Sequence, residues 1–281
     1  MTLRTALEQG TSILSDATIS VPRLTAEVLL CHALGRERVW LYAHANDELS
    51  EIGWIHYGRY LYQRTTGRPT QYITGRQEFY GRDFRVSSAV LIPRPETEHV
   101  VTQVLRHIRQ GSRVLDVGTG SGAIAVSVLL EAPGAIVFAS DVSPQALALA
   151  VVNSATHGAQ VRFFLADLTA AVANASLDVV VSNPPYIGYE ESAGLATEVR
   201  EHEPHLALFA DEDGLEVYRR LILDASRVLK PGGWLVLELG HSSLGPVQSF
   251  LDPAIWSLPV VTPDLAGIPR VLAAARRPSE E

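Results

Sequence analysis

The chain has 281 residues, 47% of them hydrophobic, enough to bury one large core and a smaller one, so two domains are expected. Its net charge of −8 is uneven, because residues 1–110 sum to +2 and residues 111–281 to −10, which makes the second part a poor polyanion binder. A single cysteine, Cys31, excludes an internal disulfide and a cysteine-based metal cluster; no apolar run reaches the roughly 18 residues of a membrane span and "MTLRTALEQG" lacks a secretory core, so a soluble cytoplasmic protein is expected.

Up to about residue 66, apolar residues recur at helical spacing. Leu3, Ala6, Leu7 and Leu14 form one set, and Leu24, Val28, Leu29 and His32 another, with Ser20 and Ser50 as caps or turn residues. This predicts a small helical bundle, with Cys31 as a core residue. Between Gln71 and Ile92 the pattern changes to period two with glycine punctuation, which predicts a β-hairpin linker. "RPETEHVVTQVLRHIRQG" then reads as a helix with acids in its first turns, ended by Gly111.

From Arg113 onward strands and helices alternate, the signature of a parallel sheet covered on both faces. The strands are "RVLDV", "AIVFAS", "VRFFLA", "DVVVS" and "WLVLEL", with helices starting near Gly122, Pro144, Gly214 and Ser242. Closing strands are expected near Trp256–Thr262 and Pro269–Ala275. No internal repeat is evident, and the charged tail "RRPSEE" is expected to be disordered.

The first strand runs into "DVGTGSGAIA", a glycine-rich turn that lets backbone approach a ligand closely. Gly118, Gly120 and Ala123 satisfy a loose dinucleotide fingerprint, so a nicotinamide enzyme is one reading. Asp116 opposes it, because a carboxylate two residues before the first glycine repels a pyrophosphate by a few kcal/mol at about 4 Å and an effective dielectric of about 20. S-adenosylmethionine, which carries a sulfonium and an ammonium and no phosphate, fits instead. Asp141 ends the second strand, where an acid takes ribose hydroxyls in either cofactor class. Asp167 ends the third, where it can accept from an adenine amine, with Leu168 against the ring. A helix cap or turn acid is the structural alternative for each.

The fourth strand delivers Asn183, followed by two prolines and Tyr186, to the same carboxyl edge. A planar nitrogen is a poor nucleophile because its lone pair is delocalised, as the roughly 18–20 kcal/mol amide rotation barrier shows. The Asn183 side-chain oxygen and the Pro184 carbonyl can each accept one N–H of a substrate –NH2. The prolines fix that carbonyl beforehand, and Tyr186 can pack over the planar group. Alignment for in-line attack contributes about 7–11 kcal/mol in well-oriented reactions, without a metal or general base.

Here the sequence resembles the class I methyltransferases that modify planar –NH2 groups. "PTQYITGRQEFYG", "VLIPRPETE", "EPHLALFADEDGLEVYRRLI" and "LAGIPRVLAAAR" further match the release-factor glutamine methyltransferase pattern, from Pro69 nearly to the end. The resemblance implies a Rossmann-like α/β fold with a mostly parallel seven-stranded sheet. The helical domain over residues 1–68 matches only in general character and is expected either to recognise the substrate, as its mild positive charge hints, or simply to cap the sheet; a β-hairpin linker over 69–93 and the methyltransferase domain over 94–281 follow. The resemblance implies methyl transfer from S-adenosylmethionine to the glutamine amide nitrogen in the Gly-Gly-Gln loop of peptide chain release factors. Gly118, Thr119, Gly120, Ser121, Gly122, Asp141, Asp167 and Leu168 would hold the cofactor, Asn183 would touch cofactor and substrate, and Asn183, Pro184, Pro185 and Tyr186 would clamp the glutamine. Leu168 stands where the family more often has an aromatic. "IPRPETE" differs from the sister enzymes acting on a ribosomal protein, where a serine is expected after the Pro-Arg pair.

The rival reading is adenine methylation on DNA or RNA, which uses the same clamp on a flipped base and needs a basic groove. No direct nucleic-acid partner and no membrane is expected. His202, Glu203 and His205 in "EHEPH" read as a solvated turn, since proline interrupts any helical metal pair. Glu238 reads as a strand-end acid with a structural partner, and Arg94 as a residue of the cofactor or substrate mouth.

Overall fold

The computed structural model describes residues 1–278, so Ser279 to Glu281 of the charged tail lie outside the described residues. The first elements are α1 (Leu3–Asp16), α2 (Pro22–Leu34), α3 (Arg38–Ala43), α4 (Glu51–Thr65), α5 (Thr70–Thr74), β1 (Arg76–Phe79), β2 (Arg82–Arg85) and α6 (Glu98–Leu105). Next come β3 (Arg113–Val117), α7 (Ala123–Glu131), β4 (Ile136–Asp141), α8 (Pro144–Thr156), β5 (Arg162–Leu165), β6 (Leu177–Ser182), α9 (Thr197–His202) and α10 (His205–Leu208). The chain finishes with α11 (Glu216–Val228), β7 (Leu229–Glu238), α12 (Leu244–Ser249), β8 (Val260–Pro263) and β9 (Pro269–Ala275).

Two compact units result, and the first comprises Met1–Arg76 together with Ala196–His202. In α1 the spacing of three and four buries Leu3, Ala6, Leu7 and Leu14 on one face, each leucine contributing about 1.5–3 kcal/mol. Ser50 caps α4, its hydroxyl accepting the Gly53 N–H at 3.1 Å. Ser20 instead lies in a bend before left-handed Val21, and Pro22 opens α2. The buried face of α2 also differs from expectation: Ala26, Leu29, Leu30 and Cys31 are inside, whereas Leu24 and His32 are exposed. Its cause is Glu27, buried and held by Arg23 at 2.9 Å, Arg38 at 2.7 Å and the Tyr42 hydroxyl at 2.6 Å, which turns that side of the helix inward. Glu198 of α9 pairs with the buried guanidinium of Arg64 of α4.

The expected extended stretch starts later than its glycine pattern suggests. Gln71–Thr74 is helical, because Thr70–Thr74 forms one turn closed by left-handed Gly75. The hairpin itself is short, and Tyr80 and Gly81 both have positive φ, as a two-residue type I′ turn requires.

The second unit, Gln77–Leu195 with Glu203–Glu281, carries a seven-stranded sheet in the order β5-β4-β3-β6-β7-β9-β8. Every pairing is parallel except those of β9, which runs antiparallel to both neighbours. Alternate residues feed opposite cores: Val114, Val137, Val179 and Val236 pack with α6 and α7, while Leu115, Val180, Leu235 and Leu237 pack with α11 and α12. The seven strands and their two covered faces thus match the expected architecture. Helix α6 ends at Leu105 rather than at Gly111, as Arg106 to Gln110 turn and the Gly111 N–H bonds to the Gly134 carbonyl at 2.8 Å. Trp256 only bridges to Arg276, so the penultimate strand starts at Val260. Arg276 and Arg277, expected in a disordered tail, bond to the Leu229 and Trp256 carbonyls.

Candidate active site

Parallel β3, β4, β5 and β6 deliver their carboxyl ends to one edge, where α/β sheets bind ligands. A cavity of about 410 Å³ opens there, lined by Gly118, Thr119, Gly120, Ser121, Asp141, Asp167, Leu168, Asn183, Pro184 and Pro185. Ten of the twelve expected site residues therefore meet around one space; Gly122 and Tyr186 do not line it.

The glycine loop is tightly bound to its neighbours. Gly118, Gly120 and Gly122 all have positive φ, which side chains adopt only at a cost. The N–H groups of Gly118 and Thr119 donate to the Ser140 carbonyl at 2.9 and 3.0 Å, and that of Gly120 to Asp141 Oδ2 at 2.9 Å. Asp141 Oδ1 accepts the Ser143 N–H at 2.9 Å, so each carboxylate oxygen keeps one lone pair for a ligand hydroxyl. Gly122 serves packing, since a Cβ there would stand 3.1 Å from Ala150 on α8.

Asp116 is beneath the loop, not in the cavity wall. Its Oδ2 accepts the Thr119 hydroxyl at 2.6 Å and the Ala125 N–H at 3.2 Å, while Oδ1 has no hydrogen-bond partner among the described residues. Burial pushes its pKa up to about 7, against those two hydrogen bonds, and the nearby Asp141 charge adds to the rise. Direct repulsion of a pyrophosphate by Asp116 is accordingly weaker than its sequence position suggests. The charged side chains lining the cavity are Asp141, Asp167 and Arg220, an excess of one negative charge that suits a cationic ligand better than a pyrophosphate.

Asp167 is exposed and paired with Arg220 at 2.6 Å, a partner that strand-end reasoning missed because it comes from α11. Leu168 adopts φ 49°, an uncommon backbone for a leucine, and the Ser140 hydroxyl donates to its carbonyl at 3.3 Å. That strained turn directs the segment after β5 along the cavity.

At the end of β6 the Ser182 hydroxyl donates to the Val117 carbonyl at 2.7 Å, pinning this strand to β3 just before Asn183. Asn183 Nδ2 donates to Thr97 Oγ1 at 3.3 Å, and Asn183 Oδ1 is buried without a hydrogen-bond partner among the described residues. An unpartnered buried acceptor costs about 1–3 kcal/mol, which a ligand N–H would recover. Pro184 is buried and Pro185 half-buried beside it.

Tyr186 stands behind this edge. Its ring packs against Gly240, where an added Cβ would come within 2.9 Å of Cδ2. Burial, together with the Glu238 carboxylate, pushes its phenol up to about 12, against the pull of Arg270 and Arg94.

The "EHEPH" turn is solvated only in part, since Glu201 and His205 are exposed. Glu203 is buried and accepts from the Ile92 N–H at 3.2 Å and from Arg94, so these residues anchor the "IPRPETE" segment that brings Thr97 to the cavity. Arg94 thereby acquires a structural partner. Leu206 and Phe209 also line the cavity; they fall within the matched stretch "EPHLALFADEDGLEVYRRLI", but without periodicity nothing in the sequence assigned them to the site.

The strand order, with one antiparallel strand next to the last position, and the glycine loop after β3 define a class I methyltransferase. Residues 97–202 match the methyltransferase small domain family, and residues 5–75 match the PrmC N-terminal domain family. A methyltransferase from Pyrococcus furiosus shares this fold at a TM-score of 0.54 and 18% identity, covering 79% of this chain and 98% of its own. A release factor glutamine methyltransferase of Koribacter versatilis is 44% identical over 99% of this chain and 100% of its own length. One of Bacillus subtilis is 39% identical over 97% of each. The chain belongs to the release factor glutamine methyltransferase family.

Proposed function

We propose that this protein transfers a methyl group from S-adenosylmethionine to the side-chain amide nitrogen of the Gly-Gly-Gln glutamine in peptide chain release factors. The observation that carries this reading is Asn183 Oδ1, a buried acceptor without a partner at the cavity edge, followed by the fixed carbonyl of Pro184. Two acceptors side by side suit an –NH2 group, which offers two N–H donors.

S-adenosylmethionine supplies an electrophilic methyl group when bound. Gly118, Thr119, Gly120 and Ser121 would take its amino-acid part, Asp141 the ribose hydroxyls through its spare lone pairs, and Asp167 and Leu168 the adenine, while Gly122 supports the loop. Asn183 and Pro184 would draw on the two N–H groups of the glutamine, turning its nitrogen lone pair out of conjugation and toward the reacting carbon. Pro185 keeps the carbonyl of Pro184 rigid, and Tyr186 supports the clamp from behind.

The helical unit would recognise the release factor, a role favoured by its exposed Val39, Tyr42, Ile52, Ile55 and Tyr62. Adenine methylation is disfavoured, because among the described residues Arg220 is the single cation lining the cavity and is neutralised by Asp167. We place the activity in the cytoplasm, where release factors act; among the described residues no helix is long and apolar enough to cross a membrane. Incubation with methyl-labelled cofactor and purified release factors, followed by peptide mapping, tests the reading: label on the Gly-Gly-Gln glutamine supports it, and label elsewhere or none removes it.

A further inference from the structure

Glu238 ends β7 and is nearly fully buried, yet it does not line the cavity. It is one step beyond Leu237, whose register partner Ser182 directly precedes Asn183, so the two strands end side by side. The Tyr218 hydroxyl donates to the Glu238 carbonyl at 2.8 Å and accepts from the Gly240 N–H at 3.2 Å, which fixes the strand end. The Glu238 carboxyl meets the Thr97 hydroxyl and the Asn183 amide, and its Oε2 has no hydrogen-bond partner among the described residues.

An ionised carboxylate only accepts hydrogen bonds. The Thr97 hydroxyl must then donate to it and turn its lone pairs to Asn183. Asn183 answers with Nδ2, as observed at 3.3 Å, and its oxygen is left facing the other way. We propose that Glu238 is a positioning residue whose carboxylate, acting with Thr97 and by its own contact with the amide, sets which end of the Asn183 amide is presented to the methyl acceptor. This rests on the glutamine-clamp reading above and adds the device that orients the clamp.

A protonated Glu238 can instead donate to Thr97, which frees the Thr97 hydroxyl to donate to Asn183 Oδ1 and withdraws that oxygen from the acceptor. Burial pushes the Glu238 pKa up to about 7, against the pull of Thr97, Arg270 and Asn183 and with a further push from Glu96. Tyr186 and Tyr218 also face it, both with phenols held above their ordinary range and so neutral here. The native hydrogen-bond direction is therefore lost as pH falls through neutrality.

The test is kcat for methyl transfer to a release factor at saturating cofactor from pH 6 to 9, with cofactor Kd measured alongside, on the full chain. Wild type should show an acidic limb; Glu238→Gln, which can donate like the protonated acid, should give a flat profile at the low-pH plateau of wild type, roughly tenfold below its maximum. Cofactor Kd should stay within about twofold, since an effect carried by one hydrogen-bond direction leaves the cofactor contacts alone. Thr97→Val should lower kcat similarly and Thr97→Ser restore it, a pair that decides the matter if Glu238→Gln does not fold. A wild-type kcat and profile in Glu238→Gln, or full kcat in Thr97→Val, overturns the proposal. Asn183→Ala separates the two ideas: if it stays active, the clamp reading fails; if it is inactive while Glu238→Gln behaves as wild type, only the positioning role fails.

Discussion

The N–H of Gly120 donates to Asp141 Oδ2 at 2.9 Å, so one carboxylate at the end of β4 holds the glycine loop and faces the cavity together. Asp141→Asn keeps a single acceptor oxygen for two backbone donors and any ligand hydroxyl. Charge-assisted hydrogen bonds of about 1.5–3 kcal/mol are then weakened, and cofactor affinity should fall about tenfold or more. Calorimetric titration checks it, and unchanged affinity would remove the ribose assignment.

Asn183→Ala removes the unpartnered acceptor and leaves the glycine loop intact. By analogy with the loss of one preorganised polar group at a reacting centre, kcat should drop about 10²- to 10³-fold. Cofactor affinity should change much less, and an equal loss in both would mean that Asn183 serves the cofactor alone.

Asp116 makes stability depend on pH. Burial holds it at about 7 in the folded chain against an ordinary 3.8, so between those values the folded state binds more protons than the unfolded one. Stability should decline as pH rises through that window, by up to about 1.4 kcal/mol per pH unit for one such group. Glu238, raised to about 7 from 4.5, acts in the same direction. Urea unfolding of Asp116→Asn between pH 5 and 8 should show a shallower slope than wild type; equal slopes would remove Asp116 as the source.

Gly214 has φ +75°, and a Cβ there would lie 2.4 Å from the Tyr186 carbonyl oxygen. Gly214→Ala must displace the backbone two residues after Pro184, at a cost of about 1–3 kcal/mol. Thermal stability and kcat should fall together, whereas Gly245→Ala, with open space around it, should leave both near wild type.

The strands were readable because buried parallel strands are continuous apolar runs, and the glycine loop and Asp141 because strand ends carry ligands. The side taken by the Tyr186 ring was not legible, because two prolines before it do not say which way it turns; its contact is with Gly240. Glu203 looked solvated because its partners, Ile92 and Arg94, come from more than a hundred residues away. Thr70–Thr74 folded as a helical turn although its glycine spacing resembled a hairpin, and the true hairpin was left to Tyr80 and Gly81. Asp116 lies under the loop because its position on β3 points to the α7 side, as Val114 does and Leu115 does not.

The return of Ala196–His202 to the amino-terminal unit makes this enzyme resistant to dissection. Cutting the gene at the hairpin would strand Glu198 without Arg64 and remove a helix from its own bundle, so neither fragment would carry a complete set of parts.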